Sequence, residues 1–272
     1  MINEYLKQIL KPIDKLFKVA NLYKPNAFVL PTGFREFDNA MDGGVREGEL
    51  ITISGRTGEG KSLLAETLSS NFSKQTIPSL FFSYEMNPWY LRERFIKMGE
   101  NEALLTYIPK DSVESSIIYI RDSIRYAKKE FACKVVFIDH LHYLIPLNQS
   151  TNSSLLIGGI VRELKKLAIK EEVVVFLIAH TKKIYSDESL DLSSPRDSSL
   201  ISQESDYVFL IERKKINKKE FDKSSDTEWT NQSRITLAKN RRTGKLFYLD
   251  FNYLDNKLIP ITKDYKYEQE LL

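Results

Sequence analysis

The 272-residue chain is 42% hydrophobic and 28% charged, enough to build one large α/β domain with an appendage or two small domains. A formal net charge of +3 neither demands a nucleic-acid partner nor opposes one. Cys133 is the single cysteine and His140, His142 and His180 are the only histidines, which excludes a disulfide framework or Cys-based zinc site within one chain, argues against a histidine metal cluster, and favours a reducing, cytoplasmic setting.

In chain order, residues 2–20 place Ile2, Tyr5, Leu6, Ile9, Leu10, Ile13, Leu16 and Phe17 on one helical stripe, interrupted at Pro12. This apolar face can be covered by its own domain or by a neighbouring subunit. Residues 21–31 read as a linker. REFDNAM then predicts a short helix, Gly43-Gly44 a turn, and Leu50-Ile51-Thr52-Ile53 a buried strand. Gly55, Gly60, Lys61 and Ser62 occupy every fixed position of G-x-x-x-x-G-K-[ST]. Arg56, Thr57, Gly58 and Glu59 fill the turn, and Leu63 begins the helix proper. A strand running through a Gly-rich turn into a helix converges backbone N–H groups on one point, where the helix dipole adds positive potential. Lys61 can reach β- and γ-phosphates, and the Ser62 hydroxyl can ligate Mg²⁺. The sequence therefore predicts a nucleoside triphosphate site.

Residues 79–84 predict a second buried strand ending at Glu85-Met86, followed by a helix capped by Asn87 with Pro88 at its first position. An amphipathic helix over 113–131, a strand over 134–139, a helix over 153–170, a strand over 173–179 ending at His180, and a strand over 207–211 complete the alternation. Residues 182–194 and the charged stretch 214–232 read as loops. Residues 234–238 and 246–251 read as an antiparallel pair closing around Arg242-Thr243-Gly244. No apolar run approaches the ~20 residues of a membrane span and the N-terminus lacks a signal-peptide layout, so no membrane partner is expected.

Strands alternating with helices predict a largely parallel sheet with helices on both faces, whose ligands sit at the C-terminal strand edge. Glu85, Asp139 and His180 all end apolar strands. Asp139 after VVFI is a Walker B arrangement that would hold Mg²⁺. Glu85 suits a carboxylate that polarises the attacking water, or a helix cap. His180 can sense the γ-phosphate, or serve only structure. Lys239, Arg241 and Arg242 read as a solvated basic turn, or as cations completing a neighbour's phosphate site.

The segments PTGFREFDNAMDGG, GRTGEGKS, FFSYEM, VVFIDHL, VVVFLIAHTKK, PRDSSLISQESDYVFLIER and ITLAKNRRTGK, in this order and spacing, resemble the motor domain of DnaB-like replicative hexameric helicases and related phage and mitochondrial helicases. The resemblance runs from about residue 31 to 251. It implies a RecA-like P-loop NTPase with a C-terminal antiparallel hairpin, a linker helix and linker over 1–30, a motor over 31–262, and a tail over 263–272. It implies ATP and Mg²⁺ as cofactors, Glu85 as catalytic, Asp139 as the Walker B residue and His180 as the γ-phosphate sensor. Lys239 and Arg241 match a Lys and an Arg finger supplied in trans. Arg213 matches a residue near the base, and Gln203 one near the phosphates or subunit interface. The apolar helix over 2–20 is similar to the helix by which each subunit grips its neighbour. Loops over 146–154 and 182–195 would line a DNA channel, with Lys182, Lys183 and Arg196 tracking phosphates.

Two departures stand out. The reading expects no collar or primase-type domain before the motor, and residues 98–112 read as a shorter excursion than the family's. The leading expectation is a ring-forming, hexameric Mg²⁺-dependent ATPase translocating on single-stranded DNA and unwinding duplex in replication, of bacterial, phage or mobile-element origin, with a primase or loader as further partner. A RecA- or KaiC-like ATPase that does not unwind, and a regulatory module whose ATP only fixes assembly, are the alternatives.

Overall fold

The computed structural model describes Leu16 and residues 29–110, 114–145, 153–181, 190–192, 194, 198–216 and 228–261. The rest of the expected N-terminal helix, the tail over 263–272, and most of both expected channel loops, including Lys182, Lys183 and Arg196, lie outside the described residues.

Apolar strands with residues of both alternating sets buried need cover on two faces. In β3 (Leu50–Gly55), β6 (Val135–Asp139) and β7 (Val174–His180) this is met by helices on either side. Ile51, Ile53, Val135, Phe137, Val174 and Phe176 point to one core, where α2 (Lys61–Lys74) seats Leu64, Leu68 and Phe72. Val136, Ile138, Val175 and Leu177 point to the other, against α4 (Ile117–Phe131) and α5 (Ser153–Glu171). The Phe137 and Phe176 rings stack at 4.9 Å beneath Phe72. Each such fully buried ring contributes about 2–3 kcal/mol of transfer free energy.

The nine-stranded sheet runs β11-β10-β9-β8-β3-β7-β6-β4-β5, where β4 is Ser79–Ser83, β5 Thr106–Tyr107, β8 Tyr207–Ile216, β9 Glu228–Asn240, β10 Phe247–Leu254 and β11 Lys257–Pro260. From β8 to β5 the pairing is parallel; from β8 to β11 it is antiparallel. Register aligns the C-terminal ends: Gly55 lies opposite His180, and Ser83 opposite Asp139. The predicted α/β fold, its mainly parallel sheet and its closing hairpin are all observed.

Several boundaries differ from the expectations; the helix expected over 113–131 begins at Ile117, where Ser116 caps it by accepting from the Tyr119 N–H at 3.2 Å. Val29 and Leu30, at the end of the expected linker, form β1 against β2 (Val45–Arg46) after the short helix α1 (Arg35–Ala40). The β8–β9 hairpin extends into the expected 214–232 loop, with Lys215 opposite Trp229; ladder bonds there outweigh the charged composition, and Lys214 meets Asp250 at 2.7 Å. β11 follows a two-residue turn in which Asp255 and Asn256 both adopt positive φ, the conformation that mirror-image hairpin turns need. β5 adds only two residues to the sheet edge. The helix after Glu85, α3 (Pro88–Lys97), starts as expected: Asn87 caps it by accepting from the Trp89 N–H at 2.8 Å, with Pro88 at the first turn.

Between α2 and α3, Glu66 is 1% exposed and accepts from Arg94 at 2.8 Å, while its Oε1 has no hydrogen-bond partner. Burial pushes this carboxyl up to about 7 despite the guanidinium. A folded-state value above the unfolded one means the folded chain binds the proton better, so the stabilisation is complete below about 4.5 and is lost as pH rises through 7. Glu66→Gln is therefore expected to gain stability relative to the parent between about pH 5 and about pH 8, by roughly 1–3 kcal/mol in urea unfolding midpoints.

Candidate active site

Backbone geometry makes the phosphate cradle. A Cβ on Gly55 would stand 2.6 Å from the Ile211 carbonyl oxygen, so only glycine lets β3 run this close to β8. Gly60 has φ +101° where the turn enters α2, a conformation that glycine adopts without strain. Thr57 and Gly58 are exposed at the loop crest, whereas Leu63 is buried and anchors the first turn of α2. Lys61 is buried and curls back, its Nζ donating to the Arg56 carbonyl at 2.9 Å. Burial lowers its ammonium from the ordinary lysine value, opposed by the charges of Asp139, Glu85 and Glu59. Arg56 in turn meets Glu59 at 3.4 Å and Glu212 at 3.6 Å.

Asp139 is 3% exposed, and the Ser62 hydroxyl beside it favours its ionised form. Burial raises its carboxyl to about 6, with Glu85 adding to the rise and Lys61 opposing it. Its Oδ1 is buried without a hydrogen-bond partner. A hydroxyl and a buried carboxylate with an unsatisfied oxygen, beside the cradle, are hard oxygen ligands of the kind Mg²⁺ takes. Ser62 and Asp139 thus fit the ion expected of them.

Glu85 follows β4, whose end is tied to β6 by the Tyr84 N–H donating to the Asp139 carbonyl at 2.8 Å. Its Oε1 lies 2.7 Å from His140 Nε2 and 3.5 Å from His180 Nε2. The cap of α3 is Asn87, so Glu85 is not its cap. Lys61, Glu85, Asp139 and His180 therefore share one edge of the sheet. Arg213, past Ile211 on β8, belongs to the same edge, its Nε donating to the Thr230 carbonyl at 2.8 Å.

The sequence argues against a histidine metal cluster, yet the three histidines come together in space. The rings of His140, His142 and His180 lie 4.4–5.7 Å apart, and one ligand atom each from Glu85, His140 and His180 falls within 4.8 Å of the others. Sequence distance hid this because β6 and β7 are adjacent only in space. His140 was missed as a site residue, although its position directly after Asp139 at a strand end was a usable signal.

Lys239, Arg241 and Gln203 stand elsewhere. Lys239 pairs with Val208 at the start of β8. Its Nζ donates to the carbonyls of Ser202, Gln203 and Ser205 at 2.6, 3.3 and 2.7 Å, at the end of α6 (Ser198–Glu204). Arg241 lies 3.5 Å from Asp206, which also accepts from the Leu50 N–H where β3 begins. These three residues occupy the sheet edge opposite this chain's own cradle. Arg242 is packed inward, donating to Met41 and Gly44 carbonyls and pairing with Glu49.

A profile of the DnaB-like helicase C terminal domain matches residues 29–106 and 97–258. The chain belongs to this family. Among curated relatives, the replicative DNA helicase DnaB of Treponema pallidum is 25% identical over 68% of this chain and 48% of its own length. That of Mycoplasma pneumoniae is 28% identical over 80% and 54%, and a probable plasmid replicative DNA helicase of Chlamydia muridarum 26% identical over 86% and 55%. The chain spans about half the length of these curated DnaB-like relatives. Among solved structures, a DnaB-like replicative helicase superimposes with TM-score 0.72 at 21% identity, covering 92% of this chain and 67% of that one. A KaiC-like protein of Pyrococcus horikoshii superimposes with TM-score 0.65 at 16% identity over 87% and 100%. These likenesses establish a RecA-like fold for this member of the DnaB-like family.

A proton on Asp139 occupies an oxygen that a divalent cation needs, so cation binding should weaken as pH falls below about 6. Titrating the nucleotide-free chain with Mn²⁺ is expected to show affinity falling up to about tenfold per pH unit below that point. Asp139→Asn should bind weakly at every pH.

Proposed function

We propose that this chain is the motor of a ring-forming, Mg²⁺-dependent ATPase, most simply a hexamer, that translocates on single-stranded DNA and unwinds duplex during replication. The observation that carries this reading is the split between the two sheet edges: Lys61, Glu85 and Asp139 converge at one, and Lys239 and Arg241 stand at the other. A site divided this way is completed when a second copy docks its far edge against the first copy's cradle.

In the proposed cycle, backbone N–H groups of residues 56–63 hold the phosphates and Lys61 leaves the Arg56 carbonyl to meet them. Ser62 and Asp139 would hold Mg²⁺, which would supply neutralisation of the triphosphate's charge there. Glu85 orients a water so that its oxygen forms a bond to the γ-phosphorus as the bond to the β–γ bridging oxygen breaks, and accepts the proton released. His180 faces the γ-phosphate and responds to its loss. Lys239 and Arg241 from the adjoining copy stabilise the charge that develops, Gln203 lies at that junction, and Arg213 borders the base.

The loops that carry Lys182, Lys183 and Arg196 are assigned to phosphates of the DNA strand, so affinity should fall with salt and depend little on sequence. Replicative helicase names among bacterial and plasmid relatives favour a cytoplasmic role on DNA. The related DnaB-like helicase structure describes that protein's interactions with primase, which makes a primase or loader a reasonable further partner. The KaiC-like likeness supports, as a second reading, an ATPase that does not unwind.

Lys61→Ala is expected to abolish DNA-stimulated hydrolysis, and undiminished turnover would remove the catalytic assignment. Arg241→Ala and Glu85→Gln should each be inactive alone, yet regain part of the parental turnover when mixed, because some junctions then pair an intact cradle with an intact finger. No recovery on mixing, in rings shown to exchange subunits, would place the finger in cis. Strand displacement on a forked duplex separates unwinding from hydrolysis alone.

A further inference from the structure

We propose that His140 is a positioning residue for Glu85, holding one carboxylate oxygen so that the other is presented to the attacking water; this rests on the reading of Glu85 as the water-orienting group. His140 is 6% exposed and opens the 3₁₀ turn Leu141–Leu144 immediately after β6. The His142 backbone N–H donates to its Nδ1 at 3.3 Å. With Nδ1 serving as acceptor, the ring proton of a neutral imidazole sits on Nε2. Glu85 Oε1 lies 2.7 Å from that Nε2.

The ring plane is also fixed. His180 and Tyr143 meet it edge-on at 4.4 and 5.0 Å, and Tyr143 stacks on Tyr84, the residue before Glu85. Glu85 needs such support because its side chain is 39% exposed and stands on an irregular segment between β4 and α3. Both imidazoles approach Oε1, so the carboxylate is oriented from one side. A free carboxylate rotates among rotamers of similar energy, and a catalytic group displaced by about 1 Å costs up to 100-fold in rate.

Glu85, His140 and His180 could also be read as a transition-metal site. A cation on His140 Nε2 would require the ring proton on Nδ1, where the His142 N–H already points. The 2.7 Å separation from Glu85 is within hydrogen-bonding distance. Geometry therefore favours the donor role over the ligand role.

The test uses the full chain with Mg²⁺-ATP and single-stranded DNA, comparing His140→Ala, His140→Gln, Glu85→Gln and the double variant His140→Ala/Glu85→Gln. Gln places an N–H near the position of Nε2 and Ala removes it. His140→Ala is expected to lower kcat about 10–100-fold with KM for ATP within about twofold, and His140→Gln to recover most of the loss. The double variant should match Glu85→Gln alone, because no carboxylate remains to be oriented. An unimpaired His140→Ala beside an inactive Glu85→Gln would overturn this inference alone. So would a loss in KM and ring assembly rather than kcat, or a further loss in the double variant. Zn²⁺ inhibition of the parent at about micromolar concentration that vanishes in His140→Ala would make the cluster a metal centre and overturn it as well. Parental turnover in Glu85→Gln would overturn the reading of Glu85, and this inference with it.

Discussion

Register along the parallel half of the sheet is the constraint on which the site depends. Gly55 sits opposite His180, Ser83 opposite Asp139 and Ile138 opposite Leu177, so the four strand ends fall within about two residues of one another and the groups following them meet. A slip of one residue would turn the alternating faces over, sending Phe137 and Phe176 out of their shared core and Asp139 away from Ser62. The two hydrophobic cores therefore hold the catalytic edge in line as well as stabilise the domain. Phe72 is the link, since it belongs to the helix that begins at Lys61 and packs against both rings.

Charge is arranged around that edge under the same constraint. Asp139 and Glu59 are pushed upward by burial, and Lys61 is pushed downward while those carboxylates pull it back. Such a set is held at a cost in stability, because each ion is partly desolvated and none is fully paired. A triphosphate with its cation brings both signs of charge at once. It can engage Lys61 and Asp139 together, which neither a lone anion nor a lone cation does. Ordering of the site on binding follows from this mutual deficiency.

Much of this was legible in the residues. The cradle was visible because its glycines, lysine and serine have fixed offsets, and the strand ends because VVFID and its neighbours are short apolar runs stopped by polar groups. The Asn87 cap and Pro88 marked the next helix to the residue. Non-local or very local facts were not legible. That His140 and His180 would meet Glu85 depends on β6 and β7 being neighbours, which order along the chain does not specify. β5 has two residues and no periodicity to detect. The Asp255-Asn256 turn did carry a signal, since both residue types tolerate positive φ, and it went unread because the flanking strands are only half buried. Charge composition misled at 214–216 and 228–232, where backbone pairing and a Lys214–Asp250 contact make polar strand ends stable.

The same register sets where any finger must act. β3 advances about 3.3 Å per residue, so Leu50 and Gly55 stand roughly 17 Å apart along the strand. Arg241 is tied to the Leu50 end through Asp206, and Lys239 is tied there through three carbonyls. Neither side chain spans that distance to its own cradle, and moving β9 toward it would break the pairing that carries the hairpin. Lys239 already answers the carbonyls at the end of α6, so a phosphate that recruits it must also release that helix end. In a ring, the finger and the helix bearing Gln203 would shift together. In the ring proposed above, hydrolysis at one junction would thus move an element belonging to the next subunit, which couples chemistry to motion without a dedicated lever.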